Sequence, residues 1–119
     1  MKLIITSQGT GQADQVDPRF GRARYFILFD TDTEEFKALD NADQVEAAQG
    51  AGVQAAQNVV NSGAEILLTG HCGPKAFEVL SAAGVKIYSG IEGTVQEAVQ
   101  AWRQNELELL NGPDSPQQH

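Results

Sequence analysis

A strand–helix–strand pattern in the second half of the chain constrains its fold more than any other feature. Glu65–Thr69 is a short apolar run that predicts a buried strand, and Val85–Tyr88 predicts a second one. Between them, Pro74 suits the first position of a helix, Lys75–Ala83 continues it, and Gly84 ends it. Two strands that a helix connects in this way lie parallel in one sheet, with a right-handed crossover. The chain is therefore predicted to be an α/β protein.

The remaining elements extend this unit into a single mixed sheet. Lys2–Ser7 predicts a first strand, while Arg24–Asp30 and Glu35–Leu39 predict an antiparallel hairpin. Gln49–Asn61 has apolar residues at helical spacing, and a last helix is predicted to begin at a capping box formed by residues 94 and 97. Helices are therefore expected to cover a sheet that contains both parallel and antiparallel strands.

The length of the chain fits one domain. Its 119 residues bury about two-thirds of their unfolded surface, which suffices for one core. We predict a single domain over residues 1–105 and a partly disordered polar tail over residues 106–119. A lone cysteine excludes an intramolecular disulfide framework, and the sequence has neither a long apolar run nor a start typical of a signal peptide. These features predict a cytoplasmic protein without a membrane span. The sequence does not indicate an oligomeric state, and a monomer is the default expectation.

The net charge of −8 predicts no nucleic-acid partner, because such binding requires a basic face. A local exception exists, since Arg19, Arg22 and Arg24 are three of the four arginines in the chain. Arginines clustered beside a glycine, here Gly21, can hold a multivalent anion. They can equally pair with nearby aspartates as solvated surface charges. The candidate partners are Asp14, Asp17 and Asp30.

The loop between the predicted strand and helix, Gly70–Gly73, is a second candidate for binding an anion. Its two glycines permit a close approach of the backbone, and the helix that follows presents unpaired N–H groups. Lys75 lies in the first turn of that helix, where a cation is unfavourable unless an anion accompanies it. The same residues are also compatible with a tight turn of purely structural value. If the first and fourth strands are neighbours, this loop and the arginine-rich loop meet in one crevice.

Two residues of this second loop are potential metal ligands. His71 and Cys72 are soft ligands suited to copper or zinc, and a nearby helix N-terminus favours the thiolate. Alternatively, Cys72 is a small buried apolar residue and His71 an ordinary hydrogen-bonding residue. A structural zinc site needs four ligands, so a permanent zinc site is not predicted.

Catalytic motifs are absent from the sequence. It contains no P-loop, no G-x-S-x-G elbow, and no carboxylate on its first strand for a two-metal nuclease. A thiol enzyme that used Cys72 would have His71 as its only candidate partner. We therefore predict that the protein is not an enzyme.

Two segments resemble the signatures of a known family. Val16–Ala23, followed by a Phe/Ile-rich strand, is similar to the first signature of the dinitrogenase iron–molybdenum cofactor biosynthesis family. Thr69–Phe77 is similar to its second signature, a Gly-x-x-Gly-Pro-Asn/Lys-Ala-Phe stretch, and the resemblance extends over Met1–Trp102. One departure concerns Arg19, which stands where the family usually has a histidine. This departure makes direct ligation of iron at that position less favourable and adds positive charge instead.

The resemblance implies a fold similar to ribonuclease H, with a mixed five-stranded sheet flanked by helices. Family members include the orange proteins, which hold a molybdenum–copper sulfide cluster without a conventional set of protein ligands. The implied function is a non-catalytic carrier of an anionic metal–sulfide cluster, containing molybdenum with copper or iron, or of an iron–molybdenum cofactor precursor. The alternative is an adaptor or chaperone that binds a protein partner and no cofactor. The expected site consists of Arg19, Phe20, Gly21, Arg22, Gly70, His71, Cys72, Gly73, Pro74 and Lys75, with His71 and Cys72 as metal contacts.

Overall fold

The chain forms six strands, three α-helices and one short 3-10 helix within the residues that the computed structural model describes, 1–41 and 51–112. The strands are β1 (Lys2–Ser7), β2 (Tyr25–Asp30), β3 (Glu35–Asp40), β4 (Ile66–Leu68), β5 (Lys86–Ser89) and β6 (Glu108–Leu109). The helices are α1 (Ala51–Asn61), α2 (Pro74–Ala82) and α3 (Val95–Arg103), and the 3-10 helix spans Phe20–Arg22.

All six strands belong to one mixed sheet with the order β3-β2-β1-β4-β5-β6. The strand β1 lies between β2, which is antiparallel to it, and β4, which is parallel to it, with Ile5 opposite Leu68. The strands β4 and β5 are also parallel, so the strand–helix–strand unit predicted from the sequence is confirmed. The hairpin of β2 and β3 is confirmed as well, with Asp30 opposite Glu35 beside its turn.

Helices cover both faces of the sheet, because its central strands carry apolar side chains on both sides. In β1, Ile4 belongs to the core that includes residues of α1 and α2, whereas Leu3 and Ile5 belong to the core that includes residues of α3. Successive side chains of a strand point to opposite faces, so two covered faces require a continuous apolar run. The strand β1 is therefore central, and the loop that follows it begins from a buried, well-packed strand end.

The helix α3 begins as the sequence predicts. The Thr94 hydroxyl accepts a hydrogen bond from the Glu97 N–H at 3.2 Å, and the Glu97 carboxylate accepts one from the Thr94 N–H at 2.8 Å. The apolar stripe of this helix is buried at Val95, Ala98 and Val99. Capping and burial together fix α3 against the sheet.

The sheet differs from the prediction at one edge. The family resemblance implied five strands, whereas the sheet has six, and the sixth (Glu108–Leu109) lies where the tail was expected to begin. This strand pairs with β5, with Leu109 opposite Tyr88. Two residues are too few to show an alternating pattern, so the sequence did not indicate the strand. The similarity to ribonuclease H stays a prediction.

Some predictions concern residues outside the described ranges. The helix predicted over Gln49–Asn61 is observed over Ala51–Asn61, and its first two residues lie outside these ranges. Residues 113–119 of the predicted tail lie outside them as well. Within the described ranges, no helix is long and apolar enough to cross a membrane.

Candidate functional site

The loops after β1 and β4 meet, as the topology predicts. The two strands are neighbours, and the His71 N–H donates a hydrogen bond to the Pro18 carbonyl at 2.6 Å. The Phe20 N–H in turn donates to the His71 carbonyl at 3.2 Å, so that Arg19 and His71 form a short parallel bridge. The arginine-rich loop and the Gly70–Gly73 loop are thus one connected structure.

The two glycines of the second loop have different surroundings. A Cβ atom on Gly70 would lie 2.6 Å from both the Cβ atom and the carbonyl oxygen of Pro18. Only glycine allows the backbone to approach Pro18 this closely. A Cβ atom on Gly73 would meet none of the described atoms within 4 Å. Close approach therefore explains Gly70, whereas Gly73 borders open space.

Arg19 pairs with Asp17, which is one of the alternatives that the sequence left open. The Asp17 carboxylate accepts hydrogen bonds from the Arg19 backbone N–H at 3.0 Å, from Nε at 3.2 Å and from Nη2 at 3.3 Å. The Asp17 side chain is only 4% exposed, while that of Arg19 is 66% exposed. The hydrogen bond and the charge of Asp17 raise the pKa of Arg19 above its usual value, so the guanidinium stays charged.

The other two clustered arginines lie at the surface, and both follow a buried aromatic residue, Phe20. Arg24 forms an ion pair with Asp40 at 3.9 Å, although Asp40 was not among the partners considered from the sequence. Arg22 is exposed at the end of the 3-10 helix. The buried Phe20 ring at the start of this helix stacks on Phe26, with the ring centroids 5.5 Å apart. This aromatic contact fixes the backbone from which the arginines project.

A cavity of about 250 Å³ lies between the 3-10 helix, α1 and the start of α2, and we call it the α2 cavity. Its lining residues are Phe20, Gly21, Gly52, Val53, Gly73, Pro74, Lys75 and Ala76. Among these lining residues Lys75 has the one charged side chain, although the whole chain carries a net charge of −8. The remaining wall is glycine and apolar residues, so backbone groups come close to the cavity.

Half of the residues predicted for the site line the α2 cavity, and the other half do not. The lining half is Phe20, Gly21, Gly73, Pro74 and Lys75, and the other half is Arg19, Arg22, Gly70, His71 and Cys72. Gly52, Val53 and Ala76 also line the cavity and were not predicted from the sequence. A Cβ atom on Gly52 would lie 3.6 Å from the Cβ atom of Ala76, so α1 and α2 are close here. The glycine and alanine content of α1 indicates close packing, but it does not indicate the partner.

The helix α2 begins without a side-chain cap. Its N-cap residue is Gly73, and Pro74 occupies the first helical position, where a missing N–H costs nothing. Within the described part of the chain, no acceptor is hydrogen-bonded to the backbone N–H groups of Lys75 and Ala76. These two donors and the positive end of the helix dipole lie beside the cavity. Such an arrangement suits a compact anion.

The two potential metal ligands are placed very differently. Cys72 is fully buried in the core beside the site, whereas His71 is exposed. The described residues contain no group of three or more histidine, cysteine, aspartate or glutamate side chains that could hold a metal ion. The two loops and the start of α2 therefore offer positively charged side chains and backbone N–H donors rather than a set of metal ligands.

A larger cavity, of about 780 Å³, lies between residues 10–13 and 34–37. Its lining includes the acidic residues Glu34 and Glu35 together with Lys37, so its charge does not favour an anion. The larger cavity thus has the greater volume, whereas the α2 cavity has the charge that favours an anion. We select the α2 cavity because the uncapped helix start and the arginine-rich loop meet there.

Comparison with known proteins agrees with the two motifs. A model of the dinitrogenase iron-molybdenum cofactor family matches residues 1–105. The chain belongs to this family. The match includes the arginine-rich loop and the Gly70–Gly73 loop, so the family resemblance inferred from their residues is confirmed.

Solved structures similar to this member of the family share its fold. The structure of the apo form of the orange protein from Desulfovibrio gigas is 41% identical, covers 96% of each chain and has a TM-score of 0.92. The NMR structure of a candidate NifB protein from Thermotoga is 37% identical, covers 97% of each chain and has a TM-score of 0.85. An uncharacterised protein of Methanocaldococcus jannaschii is 23% identical over 97 residues, which are 80% of this chain and 82% of that protein. The likeness to the orange protein agrees with the branch of the family that the sequence suggested.

Proposed function

We propose that the protein is a non-catalytic carrier of an anionic metal–sulfide cluster that contains molybdenum with copper or iron. The observation that carries this proposal is the α2 cavity, which lies at an uncapped helix start and has Lys75 as the charged side chain in its lining. Membership of the dinitrogenase iron-molybdenum cofactor family and the likeness to the orange protein support a cofactor-related cargo. An iron–molybdenum cofactor precursor is a second cargo of the same chemistry.

The proposed cluster is held mainly by charge and by backbone donors. Arg19, Arg22 and Lys75 are the cations around the crevice, and Asp17 offsets the charge of Arg19, so the net positive charge comes mainly from Arg22 and Lys75. The N–H groups of Lys75 and Ala76 donate to the sulfides, and the helix dipole adds to their attraction. Gly73 has no side chain that would stand in the way of the cluster, and the space where its Cβ atom would lie is open among the described atoms.

The residues at the site suit a cluster better than a bare metal ion. A bare ion needs several close side-chain ligands, and the described residues contain no such group. A metal–sulfide cluster already has its own ligands and a net negative charge, so it needs donors around its surface. His71 is exposed and serves as a supporting contact to the cluster. Cys72 is fully buried, so it stabilises the loop by packing in the core beneath it.

Reconstitution tests this proposal. The protein is mixed with tetrathiomolybdate and Cu(II), desalted, and examined by visible spectroscopy and metal analysis. We expect a charge-transfer band and both metals to stay with the wild-type protein. A desalted protein without the band and without bound metal would overturn the proposal.

A charge reversal at the cavity and a matched one far from it locate the site. Lys75→Glu is expected to weaken retention at least about tenfold, because it replaces the cation of the cavity by an anion. Lys2→Glu makes the same change in charge at the amino end of β1, at the opposite end of that strand from the site, and should leave retention unchanged. Equal losses in the two variants would indicate a general effect of surface charge and would remove the case for this cavity.

A further inference from the structure

The buried carboxylate of Asp17 depends on a single exposed arginine. All of its hydrogen bonds within the described part of the chain come from Arg19, through the backbone N–H, Nε and Nη2. A buried carboxylate needs a compensating charge, and losing that charge is costly. Arg19 is therefore held at Asp17 despite being exposed to solvent.

The backbone of Asp17 is tied to the two strands whose loops form the site. Its N–H donates to the Thr6 carbonyl at 2.9 Å, and its carbonyl accepts a hydrogen bond from the Thr6 hydroxyl. The Thr6 hydroxyl oxygen also lies 3.0 Å from that of Thr69, the residue that follows β4. Because Thr6 belongs to β1, Asp17 is fixed with respect to both β1 and β4.

The backbone of Arg19 is fixed on both sides as well. Its neighbours Pro18 and Phe20 each make a hydrogen bond to the backbone of His71. With Nε and Nη2 bonded to Asp17, the donors left on Arg19 are those of Nη1 and the second hydrogen of Nη2. The guanidinium is planar, so holding one edge sets the direction of the other donors.

We propose that Asp17 is a positioning residue, which holds the Arg19 guanidinium so that its remaining donors are directed at the part of the anionic cargo that extends from the α2 cavity, beyond Phe20, toward the arginine-rich loop. This inference rests on the proposed function. Asp17 and Arg19 together are electrically neutral, so Arg19 contributes directed hydrogen bonds more than net charge. The site then selects a compact anion by the arrangement of its acceptor atoms as well as by its charge.

Asp17→Asn distinguishes a positioning role of Asp17 from an effect of its charge, because the two change the affinity for the cluster in opposite directions. If Asp17 acted only through its charge, its removal would make the site more positive and the tetrathiomolybdate–copper cluster would bind more tightly. Positioning predicts binding about fivefold weaker or more, because a neutral amide holds the guanidinium less firmly. Glu78→Gln removes a carboxylate from an exposed position on α2 and is the matched control. We expect this control to bind as tightly as the wild type or more tightly.

Arg19→Lys tests the same point without removing either charge. The lysine still compensates the buried carboxylate, so the fold is kept, but it lacks the planar fork. We expect its affinity to fall about as far as that of Asp17→Asn, and the double variant to lose less than the two single losses combined. The affinity of Asp17→Asn should also fall more steeply with salt, because its arginine acts as a free charge. A merely loosened fold would leave the salt dependence unchanged.

The outcomes distinguish this inference from the proposed function. If the wild type retains the cluster while Asp17→Asn binds it equally or more tightly, the positioning role is wrong and the carrier function stands. The same conclusion follows if Arg19→Lys binds like the wild type. If the wild type retains no cluster, the carrier function fails, and the positioning role fails with it.

Discussion

The helices α2 and α3 begin at the same edge of the sheet, yet their first turns are completed in opposite ways. Both helices follow parallel strands, β4 and β5. The helix α3 has a capping box, and its Val95 and Gln96 N–H groups donate to the carbonyls of Asp14 and Gln12, each at 2.9 Å. The helix α2 has glycine as its N-cap and no side-chain cap.

This difference separates a helix start that serves stability from one that is available for binding. A glycine N-cap in place of a polar one costs a helix a few tenths of a kcal/mol. In α2 that cost occurs at Gly73, beside the cavity and next to the arginine-rich loop. In α3 the corresponding donors are all satisfied within the protein. The absence of a cap at one of two comparable helix starts therefore marks the candidate site.

The largest expected effect on stability concerns Gly70, whose close approach to Pro18 holds the loop before α2. Gly70→Ala would place a methyl group 2.6 Å from the carbonyl oxygen of Pro18. We expect it to lower the free energy of unfolding by about 3 kcal/mol, because main-chain atoms cannot move aside easily. Urea denaturation followed by circular dichroism measures this change.

Gly73→Ala is the control for that experiment, since its methyl group meets open space among the described atoms. It should lower the free energy of unfolding by less than about 1 kcal/mol, the usual range for an N-cap change. Similar losses at Gly70 and Gly73 would contradict the distinction between a close approach and an open helix start.

A smaller effect is expected at the cap of α3. Thr94→Ala removes the hydroxyl that accepts from the Glu97 N–H, and it should lower the free energy of unfolding by about 1 kcal/mol. Retention of the metal–sulfide cluster should stay at the wild-type level, because no residue of α3 lines the α2 cavity as described. Parallel measurements of denaturation and metal content check both parts. If Thr94→Ala lowers both stability and cluster retention, the proposed difference between the starts of α2 and α3 is contradicted.

Local sequence patterns determined more of the fold than of the site. The apolar run of β1 and the capping box of α3 depend on residues close in sequence, and both were predicted. The partner of Arg19 could not be decided, because Asp14, Asp17 and Asp30 all lie nearby in sequence. In the structure Asp17 is buried, whereas Asp14 is exposed and Asp30 is partly exposed, and burial follows from the tertiary fold.

Two further features depend on contacts that the sequence does not encode locally. Gly52 and Val53 reach the α2 cavity through the packing of α1 against α2, which the pattern of either helix leaves open. The strand β6 pairs through two residues only, so it has no periodic pattern. In contrast, the Gly-Pro pair at 73–74 shows in the sequence that α2 begins without a polar N-cap side chain.

Metal retention by Gly73→Asp tests the central claim most directly, because this change makes the start of α2 resemble that of α3. The side chain has room among the described atoms, and aspartate is a favourable N-cap. We predict that the free energy of unfolding rises by about 0.5 kcal/mol, while retention of molybdenum and copper falls at least about tenfold. Gln100→Glu adds the same charge at an exposed position on α3 and should retain both metals. If Gly73→Asp retains the metals as well as the wild type does, the uncapped start of α2 is not the binding site.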